Sequence, residues 1–368
     1  MRIAVPIHSF EPGGVERVAL NLCAAWHEDG EYVTVVLGRE DGAMRQTAPA
    51  LDYAFRPEPV PTAAFETLWM IWVLRGYLLR ERADVLFASG NTYGIVAVAM
   101  KLLLGRRCPP IAIKLSNDLY RRDMILPYRK AYHWWLRVQG RWLDHFVGMA
   151  QPMRAEIAEL MQVPDKKITI IEDPSLEEAQ YADLSALPRP AAPRPPHYIA
   201  VGRLAAQKNF PLLLRAFARL DDPAARLTIL GEGAERAKLE RLAAELGITD
   251  RLAMPGHVAD PLPWLAEASA FVLSSDYEGV PAVVIEALAA GLPLAATRCS
   301  VSMPGLLGDG AFGRMVEPGD EAGFARTMQE VLTMPFDCAA ARAAAAPFRI
   351  SRAAKRYLDL FAKLAASG

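Results

Sequence analysis

Short runs of consecutive hydrophobic residues alternate along the chain with longer stretches in which apolar side chains recur at helical spacing. Uninterrupted apolar runs of this kind are typical of strands buried on both faces of a parallel sheet. Helical stretches such as residues 15–27 and 65–82 separate them, so the pattern predicts strand–helix–strand units. In the first half of the chain we predict strands at residues 3–7, 32–37, 84–88, 111–115, 145–149 and 168–171.

A Pro- and Ala-rich segment, LSALPRPAAPRPP, then interrupts the alternation. It is typical of a connector, because proline is disfavoured inside helices and central strands. A chain of 368 residues is also long enough for two domains of ordinary size. We therefore predict an α/β protein with two doubly wound parallel-sheet domains, residues 1–180 and 181–349, that face a central cleft. The alternation resumes with predicted strands at residues 197–201, 227–230, 252–254, 270–274 and 293–296.

The composition is that of an ordinary globular protein, with 52% hydrophobic and 23% charged residues and a net charge of −1. This balance gives no global reason to expect nucleic acid binding. The four cysteines are scattered, so we expect buried thiols in a reducing compartment. The N-terminus resembles a first strand rather than a signal peptide, and no apolar run reaches 18 uncharged residues. We expect a cytoplasmic protein.

Residues 270–297 carry the densest chemical signals in the chain. A predicted strand leads into a loop that contains Glu278 and Gly279, and Pro281 opens a helix. Proline suits the first helical position, where its missing N–H would have no partner in any case. Amides that follow it should be free to bind hydroxyl or phosphate oxygens, namely those of Ala282, Val283 and Val284.

Two carboxylates bracket this helix start. Glu278 lies in the loop, Glu286 lies in the second turn, and seven residues separate them. Carboxylates accept hydrogen bonds from sugar or ribose hydroxyls, and free amides donate them, so the segment suits a polyhydroxylated ligand. The alternative is a solvated helix start with a stray carboxylate on either side.

A second motif follows the first strand of the C-terminal half. The strand ends at Gly202, the next loop carries Arg203 and Lys208, and Asn209 can cap a helix that begins near Pro211. Two cations beside a helix N-terminus suit a diphosphate, because Arg offers a fork of donors and Lys a mobile point charge. The alternative is a pair of exposed loop cations.

Glycines follow the next two predicted strands. Gly231 and Gly233 begin a dinucleotide-binding fingerprint, but Arg236 stands at the third glycine position, which argues against a nicotinamide enzyme. Gly256 and His257 follow the strand after that, and His257 could equally be a polar surface residue.

The N-terminal half offers a glycine pair and a polar cluster. Gly13 and Gly14 directly precede a helix, which lets a ligand approach free amides, or they form a tight strand–helix turn. A polar group follows the strand at residues 111–115, and it comprises Lys114, Ser116, Asn117 and Asp118. In this group Asp118 could position an acceptor hydroxyl or cap the next helix.

Basic residues dominate the segment from 101 to 141, where ten Lys or Arg stand against two acids. Aromatic residues interleave with the cations over residues 121–142. Cations among aromatic rings fit a surface that rests on anionic lipid headgroups. The alternative is that the aromatics belong to the core and the cations are merely solvated.

Taken in order, these motifs resemble the Glu-x7-Glu signature and flanking segments of glycosyltransferase family 4, whose members are retaining enzymes with nucleotide-sugar donors and a GT-B fold. The resemblance extends over nearly the whole chain and is strongest over residues 198–320. It implies that Arg203 and Lys208 hold the donor diphosphate and that Glu286 binds the ribose hydroxyls. Glu278 would contact the transferred sugar or position the phosphate. The implied catalytic residues are Arg203, Lys208, Glu278 and Asp118.

The same resemblance implies which positions bind donor and acceptor. On the acceptor side it implies Lys114, Ser116, Asn117 and Asp118, with Ser116 standing where many members carry a histidine. In GT-B enzymes the last helical stretch crosses back, so residues 350–368 should join the N-terminal domain. The implied donor-binding set is Gly13, Gly14, Gly202, Arg203, Lys208, Asn209, Gly231, Gly256, His257, Glu278, Gly279, Val280, Pro281, Ala282, Val283 and Glu286.

The activity implied is transfer of a sugar from a nucleotide diphosphate donor, UDP-sugar rather than GDP-sugar, to a glycan acceptor. We expect that acceptor to be lipid-linked, in bacterial surface polysaccharide or glycolipid assembly, with the enzyme on the inner face of the membrane. No metal or other cofactor is expected, because fixed cations would neutralise the diphosphate and no Asp-x-Asp motif is present. Two alternatives remain open: a glycan phosphorylase with a pyridoxal phosphate lysine, and a non-catalytic sugar-binding protein.

Overall fold

The computed structural model describes residues 1–11, 13–116, 119–121, 124–189 and 195–367. The chain divides into two compact units, which we call unit 1 (residues 1–175 with 350–368) and unit 2 (residues 176–349). The boundary between the two domains was predicted at residue 180, and the structure has it at residue 175. Residues 350–368 are part of unit 1.

Unit 1 is built on a seven-stranded sheet in which every neighbouring pair is parallel. The strand order is β3-β2-β1-β4-β5-β6-β7, so the chain winds outward from β1 in both directions. Central strands are buried on both faces, as their uninterrupted apolar sequences predict. The strands are β1 (Arg2–Ile7), β2 (Tyr32–Leu37), β3 (Asp52–Ala54), β4 (Val85–Ala88), β5 (Ile111–Lys114), β6 (His145–Gly148) and β7 (Ile168–Ile170).

Unit 2 is built on a six-stranded parallel sheet with the order β10-β9-β8-β11-β12-β13. Hydrophobic clusters cover both of its faces. The prediction of an α/β fold with two doubly wound parallel sheets is confirmed. The strands are β8 (His197–Val201), β9 (Arg226–Leu230), β10 (Leu252–Gly256), β11 (Ala270–Leu273), β12 (Leu294–Thr297) and β13 (Gly313–Val316).

Helices connect the strands of both sheets. In unit 1 they are α1 (Gly14–Glu28), α2 (Glu66–Leu78), α3 (Gly94–Leu104), α4 (Leu126–Trp142) and α5 (Met153–Met161). In unit 2 they are α6 (Glu178–Ala186), α7 (Phe210–Ala218), α8 (Arg236–Glu245), α9 (Leu262–Glu267), α10 (Ala282–Ala289), α11 (Met303–Leu306), α12 (Glu321–Thr333) and α13 (Cys338–Ala345). The last helix, α14 (Ile350–Ser367), belongs to unit 1. None of the described helices combines the length and apolar character needed to cross a membrane.

The last helix completes the core of unit 1 by packing on α1. The indole nitrogen of Trp26 donates to the carbonyl of Ala354 at 3.0 Å. Its ring lies edge-on to Phe87 on the sheet and to Phe361 on α14, with centroid distances of 5.4 and 5.2 Å. Removal of a buried aromatic side chain of this kind typically costs about 3–5 kcal/mol of stability. The C-terminal helix is therefore integral to unit 1.

Two strands were missed by the sequence analysis, and both lie at sheet edges. β3 has only three residues and pairs with β2 alone, and β13 pairs only with β12. Edge strands this short, with half-exposed side chains, lack the apolar run that identifies a buried strand.

Candidate functional site

The carboxyl edge of the unit 2 sheet brings two predicted loops together. β8 and β11 are hydrogen-bonded neighbours at the point where the strand order reverses. In doubly wound sheets a crevice forms at this point, and ligands bind there. The loop of Arg203 follows β8, and the loop of Glu278 follows β11. These two motifs, about 70 residues apart in sequence, thus flank one crevice.

A row of glycines lines the neighbouring strand ends. The amide of Gly202 donates to the carbonyl of Leu230 at 2.9 Å, and that of Gly231 donates to Gly256 at 2.8 Å. Gly231 has a φ of +141°, and a Cβ there would lie 2.0 Å from the carbonyl oxygen of Gly202. Only glycine fits at position 231, so these strand ends are kept free of side chains on the side where they approach one another.

The central contact of the site is an ion pair between Lys208 and Glu278. Nζ of Lys208 lies 2.5 Å from Oε1 of Glu278, and the side chains are only 19% and 13% exposed. The hydroxyl of Ser275 donates to the same carboxylate oxygen at 2.8 Å. The two residues were predicted separately as donor ligands, and the structure joins them. Both contacts engage Oε1, and no hydrogen bond or ion pair among the described residues engages Oε2, which can therefore accept from a hydroxyl donor.

Further hydrogen bonds tie the two loops to each other. The hydroxyl of Ser274 donates to the carbonyl of Lys208 at 2.8 Å, and the side-chain amide of Gln207 donates to the carbonyl of Tyr277 at 2.8 Å. The amide of Asp276 donates to the carbonyl of Gln207 at 2.9 Å. These bonds fix the backbone on both sides of the ion pair, so its geometry does not depend on two flexible side chains alone.

Asn209 joins the site to the following helix. Its side-chain oxygen accepts from the amide of Leu212 at 3.3 Å, so it caps α7, as expected from the sequence. Its side-chain nitrogen, Nδ2, donates to Oδ1 of Asp276 at 2.7 Å. Asn209 has a φ of +43°, a conformation that asparagine tolerates better than most residues. A contact of Asn209 with donor remains a prediction.

Arg203 and His257 stand apart from these contacts. Both side chains are exposed, and none of the hydrogen bonds and ion pairs found among the described residues engages either of them. Arg203 directly follows Gly202 near the end of β8, so its guanidinium lies beside the crevice as a cation that no described residue engages. In the part of the chain that the structure describes, no three His, Cys, Asp or Glu side chains are grouped to hold a metal ion.

The start of α10 differs from the prediction in two respects. Pro281 is the N-cap residue rather than the first helical residue, with φ −75° and ψ 105°. Its carbonyl accepts from the amide of Val284 at 2.9 Å, so the prediction of a free Val284 amide was wrong. The first two amides of the helix, those of Ala282 and Val283, have no partner within the helix by geometry.

The residues around this helix start have defined places. The carbonyl of Gly279 accepts from the hydroxyl of Ser302 at 2.9 Å, and Val280 packs at the edge of the hydrophobic core. Glu286 is half-buried, and its Oε1 accepts from the side-chain amide of Gln180 on α6 at 3.2 Å. Gln180 could not be identified from the sequence, because it lies 106 residues from Glu286 in the chain.

In unit 1, a buried polar cluster lies at the end of β1. The ring of His8 stacks on Tyr93 at 4.8 Å, and the hydroxyl of Tyr93 donates to Glu16 at 3.2 Å. Burial lowers the pKa of His8 below its ordinary value, although Glu66 and Glu16 oppose this, so the ring is neutral near pH 7. Sequence analysis did not assign His8 or Tyr93 a role, because their proximity depends on the pairing of β1 with β4.

The predicted glycine pair lies beside this cluster. A Cβ at Gly13 would come within 2.0 Å of a carboxylate oxygen of Glu16, whereas a Cβ at Gly14 would meet no atom within 4 Å. Gly14 is exposed and begins α1. The atom that a Cβ at Gly13 would meet is the end of a flexible side chain, which can move aside, so the protein itself does not require glycine at either position. A ligand contact of either glycine remains a prediction.

Lys114 occupies a different environment from the acceptor-side position that was predicted. Its side chain is 3% exposed, and its Nζ lies 2.5 Å from Oδ1 of Asp173. Because the Lys114 side chain is almost fully buried, unlike that of Lys208, its ammonium is not accessible to a substrate, and we assign Lys114 a structural role. Ser116 donates its amide to Asn91 at 2.6 Å, and its buried hydroxyl has no partner among the described residues. The two other predicted acceptor-side residues, Asn117 and Asp118, lie outside the described residues.

Two family models match the chain. One, described as Glycosyltransferase Family 4, matches residues 12–174, and one described as Glycosyl transferases group 1 matches residues 195–334. The chain belongs to glycosyltransferase family 4. The two matches follow the division into unit 1 and unit 2, and the second contains the loops of Arg203 and Glu278.

A curated relative in the family is LpsE, a lipopolysaccharide core biosynthesis glycosyltransferase from Rhizobium meliloti. It is 38% identical over 137 residues, which are 37% of this chain and 39% of that protein. The chain thus spans about two fifths of the length of this relative in the alignment.

Solved structures share the fold over nearly the whole chain. The lipopolysaccharide outer core galactosyltransferase WaaB in its apo form has a TM-score of 0.78 and 17% identity, covering 99% of this chain and 100% of that one. A structure of HepE from Anabaena in complex with UDP and glucose has a TM-score of 0.74 and 16% identity, covering 98% and 99%. At these identities the likeness concerns the fold alone.

Proposed function

We propose that this protein is a retaining glycosyltransferase that transfers a sugar from a UDP-sugar to a lipid-linked glycan acceptor in bacterial surface polysaccharide or glycolipid assembly. The observation that carries this proposal is the arrangement at the unit 2 switch point. Three features lie around one sheet edge there: Arg203, whose side chain no described residue engages, the Lys208–Glu278 ion pair, and the start of α10. UDP is supported by the bound UDP in the structurally similar HepE.

The positive groups of the site suit a diphosphate. Arg203 offers five N–H donors in a planar fork, and helix starts favour negative charge. We assign the donor diphosphate to Arg203, Lys208 and the amides of Ala282 and Val283. Charge that develops on the departing phosphate would be stabilised by donors already in place. Such electrostatic stabilisation is the largest single contribution to the rate enhancement of many enzymes.

The Lys208–Glu278 ion pair allows an exchange of partners when the donor binds. A phosphate oxygen can replace Glu278 as the partner of Lys208, which frees the carboxylate to accept hydrogen bonds from hydroxyls of the transferred sugar. Glu286, held by Gln180, would bind the ribose hydroxyls. In the retaining reaction that we propose, the acceptor oxygen attacks on the face from which the phosphate leaves, and the phosphate takes its proton. No enzyme nucleophile and no metal ion is required in this scheme.

A transfer assay tests this function. The full chain is incubated with a panel of UDP- and GDP-sugars and glycolipid acceptors in EDTA, and released nucleotide is measured. We expect release of UDP that depends on acceptor and persists in the chelator, because Arg203 and Lys208 supply the positive charge. Release that is lost in EDTA and restored by magnesium or manganese would contradict the metal-free part of the proposal. Turnover with no nucleotide sugar would contradict the function itself.

The lipid-linked acceptor is supported by the surface of α4. Tyr128 and Trp134 are 69% and 64% exposed. These two rings therefore do not belong to the core, which was the alternative interpretation. Together with the exposed side chains of Lys130, Arg137 and Arg141 they form what we call the basic aromatic surface. On the neighbouring helix α3, Leu102 and Leu103 are also exposed. Exposed rings among cations suit an anionic bilayer surface, and LpsE acts in lipopolysaccharide core biosynthesis.

Charge reversal on this surface should release the protein from membranes. Each cation near an anionic bilayer contributes about 1 kcal/mol, so Arg137→Glu with Arg141→Glu should weaken vesicle binding by at least roughly 30-fold. Co-sedimentation with vesicles of graded anionic lipid content measures this, and the wild-type signal should fall as salt is raised. The matched control reverses two exposed cations on α14, Arg352→Glu with Lys355→Glu. Equal loss in both double variants, or no wild-type binding, would overturn the docking proposal.

A further inference from the structure

A small cavity opens on unit 1 beside the first turns of α4. Its volume is about 360 Å³, and it is lined by Tyr120, Leu126, Arg129, Lys130 and His133. The four helical residues are spaced three and four apart, so they lie on one face of α4. Ligand pockets commonly measure roughly 300–1,000 Å³, so this one suits a small group rather than a whole nucleotide sugar.

Three of the residues that line this cavity carry donors that no described residue engages, namely Arg129, Lys130 and His133. Neither Arg129 nor Lys130 takes part in any ion pair or side-chain hydrogen bond found among the described residues. The Nε2 atom of His133 is buried and likewise lacks a partner there. The nearby carboxylate of Glu159 is engaged by the hydroxyl of Tyr120 at 2.6 Å. Buried polar atoms are normally satisfied, so the unpartnered ring nitrogen of His133 indicates a missing partner. The half-buried Arg129 and the exposed Lys130 beside it favour an anionic one.

The position of the cavity indicates which kind of anion could bind in it. It lies on α4, the helix that carries the basic aromatic surface, and Lys130 belongs to both. An acceptor anchored in a bilayer presents its phosphate groups at the level of the lipid headgroups. A surface that rests on the bilayer would therefore bring these phosphates next to the first turns of α4.

We propose that this cavity binds a phosphate or diphosphate group of the acceptor, with Arg129 as its principal ligand. The proposal rests on the glycosyltransferase function proposed above and adds that the acceptor is phosphorylated. Arg129 can contact two phosphate oxygens through its planar fork, while Lys130 contributes a point charge and His133 a ring N–H. The cavity belongs to unit 1, whereas Arg203 and Lys208 belong to unit 2.

Titration with inorganic pyrophosphate, without lipid, tests the cavity directly. The titration uses the full-length Arg203→Ala variant, so that the proposed donor site contributes little. In that background Arg129→Gln should weaken pyrophosphate binding at least tenfold. Arg137→Gln, which removes the same charge two turns further along the helix, should change it less than twofold. Equal affinities in all variants, or equal losses in both, would overturn the proposal, since the latter indicates general electrostatic attraction.

Two further measurements separate the possible sources of the phosphate. With wild-type residue 203, Arg129→Gln should raise KM for a phosphorylated acceptor at least tenfold, while KM for the donor stays within twofold. If Arg129→Gln instead abolishes vesicle binding and leaves pyrophosphate affinity and acceptor KM unchanged, Arg129 binds bulk lipid headgroups and the proposal is wrong. Failure of the proposed function can be told apart from failure of the cavity proposal. In that case the wild type would show no sugar transfer, while pyrophosphate binding would still depend on Arg129.

Discussion

Arg203→Ala is expected to lower kcat/KM for the UDP-sugar by roughly 30- to 1,000-fold, which corresponds to about 2–4 kcal/mol of transition-state stabilisation. The guanidinium would contact the diphosphate as charge develops on it. Because the side chain is exposed and no contact found among the described residues engages it, the stability of unit 2 should change by no more than about 0.5 kcal/mol. Steady-state kinetics and thermal unfolding of the same preparation check both statements.

The matched control is Arg226→Ala. Arg226 is also an exposed arginine of unit 2, but it begins β9 and lies at the opposite, amino edge of the sheet. Lys208→Ala should reduce turnover comparably, although it also leaves the largely buried Glu278 without its cation, so Arg203 gives the cleaner result. Arg203→Lys should recover only part of the rate, because lysine lacks the planar fork. Near-normal turnover in Arg203→Ala would exclude the donor-site assignment.

Lys114→Ala is expected to destabilise unit 1 by about 3–5 kcal/mol. The substitution leaves Asp173, which is itself buried, as a charge without its partner 2.5 Å away. Chemical denaturation measures the loss, provided that a probe reports on unit 1, such as the fluorescence of the buried Trp26. The result separates the structural role from the acceptor-side role that the sequence suggested.

A surface cation of the same unit provides the comparison. Lys355 on α14 is exposed, and Lys355→Ala should change stability by less than about 0.5 kcal/mol. Replacing both partners, as in Lys114→Met with Asp173→Leu, should recover much of the loss, because no buried charge remains unpaired. If Lys114→Ala is as stable as the wild type but has a raised KM for the acceptor, the structural role is wrong and Lys114 contacts the acceptor instead.

The sequence predicted the fold where a single segment carries its own signal. Buried strands such as β1 and β11 are continuous apolar runs, and they were found near their true limits. The short edge strands β3 and β13 were missed, because their pairing depends on a neighbour rather than on their own sequence. The capping role of Asn209 was predicted correctly, since a cap and its helix are adjacent in the chain.

The candidate site shows the same limit at the level of side chains. Arg203, Lys208 and Glu278 were identified from local motifs, but the ion pair between the last two was not, because it joins positions 70 residues apart. The partners Gln180 of Glu286 and Asp173 of Lys114 lie 106 and 59 residues away. Such contacts depend on strand order and register, which a single sequence does not specify residue by residue.

The most direct test of the account is the anomeric outcome of transfer, followed by NMR with an α-linked UDP-sugar labelled with ¹³C at C1. The account predicts that wild-type protein forms an α-glycoside on the acceptor while UDP is released, and that Arg203→Ala forms it far more slowly. A β-linked product would contradict the retaining mechanism. Absence of any glycoside or UDP, with every donor of the panel and a correctly folded protein, would contradict the proposal that this chain is a glycosyltransferase using nucleotide sugars.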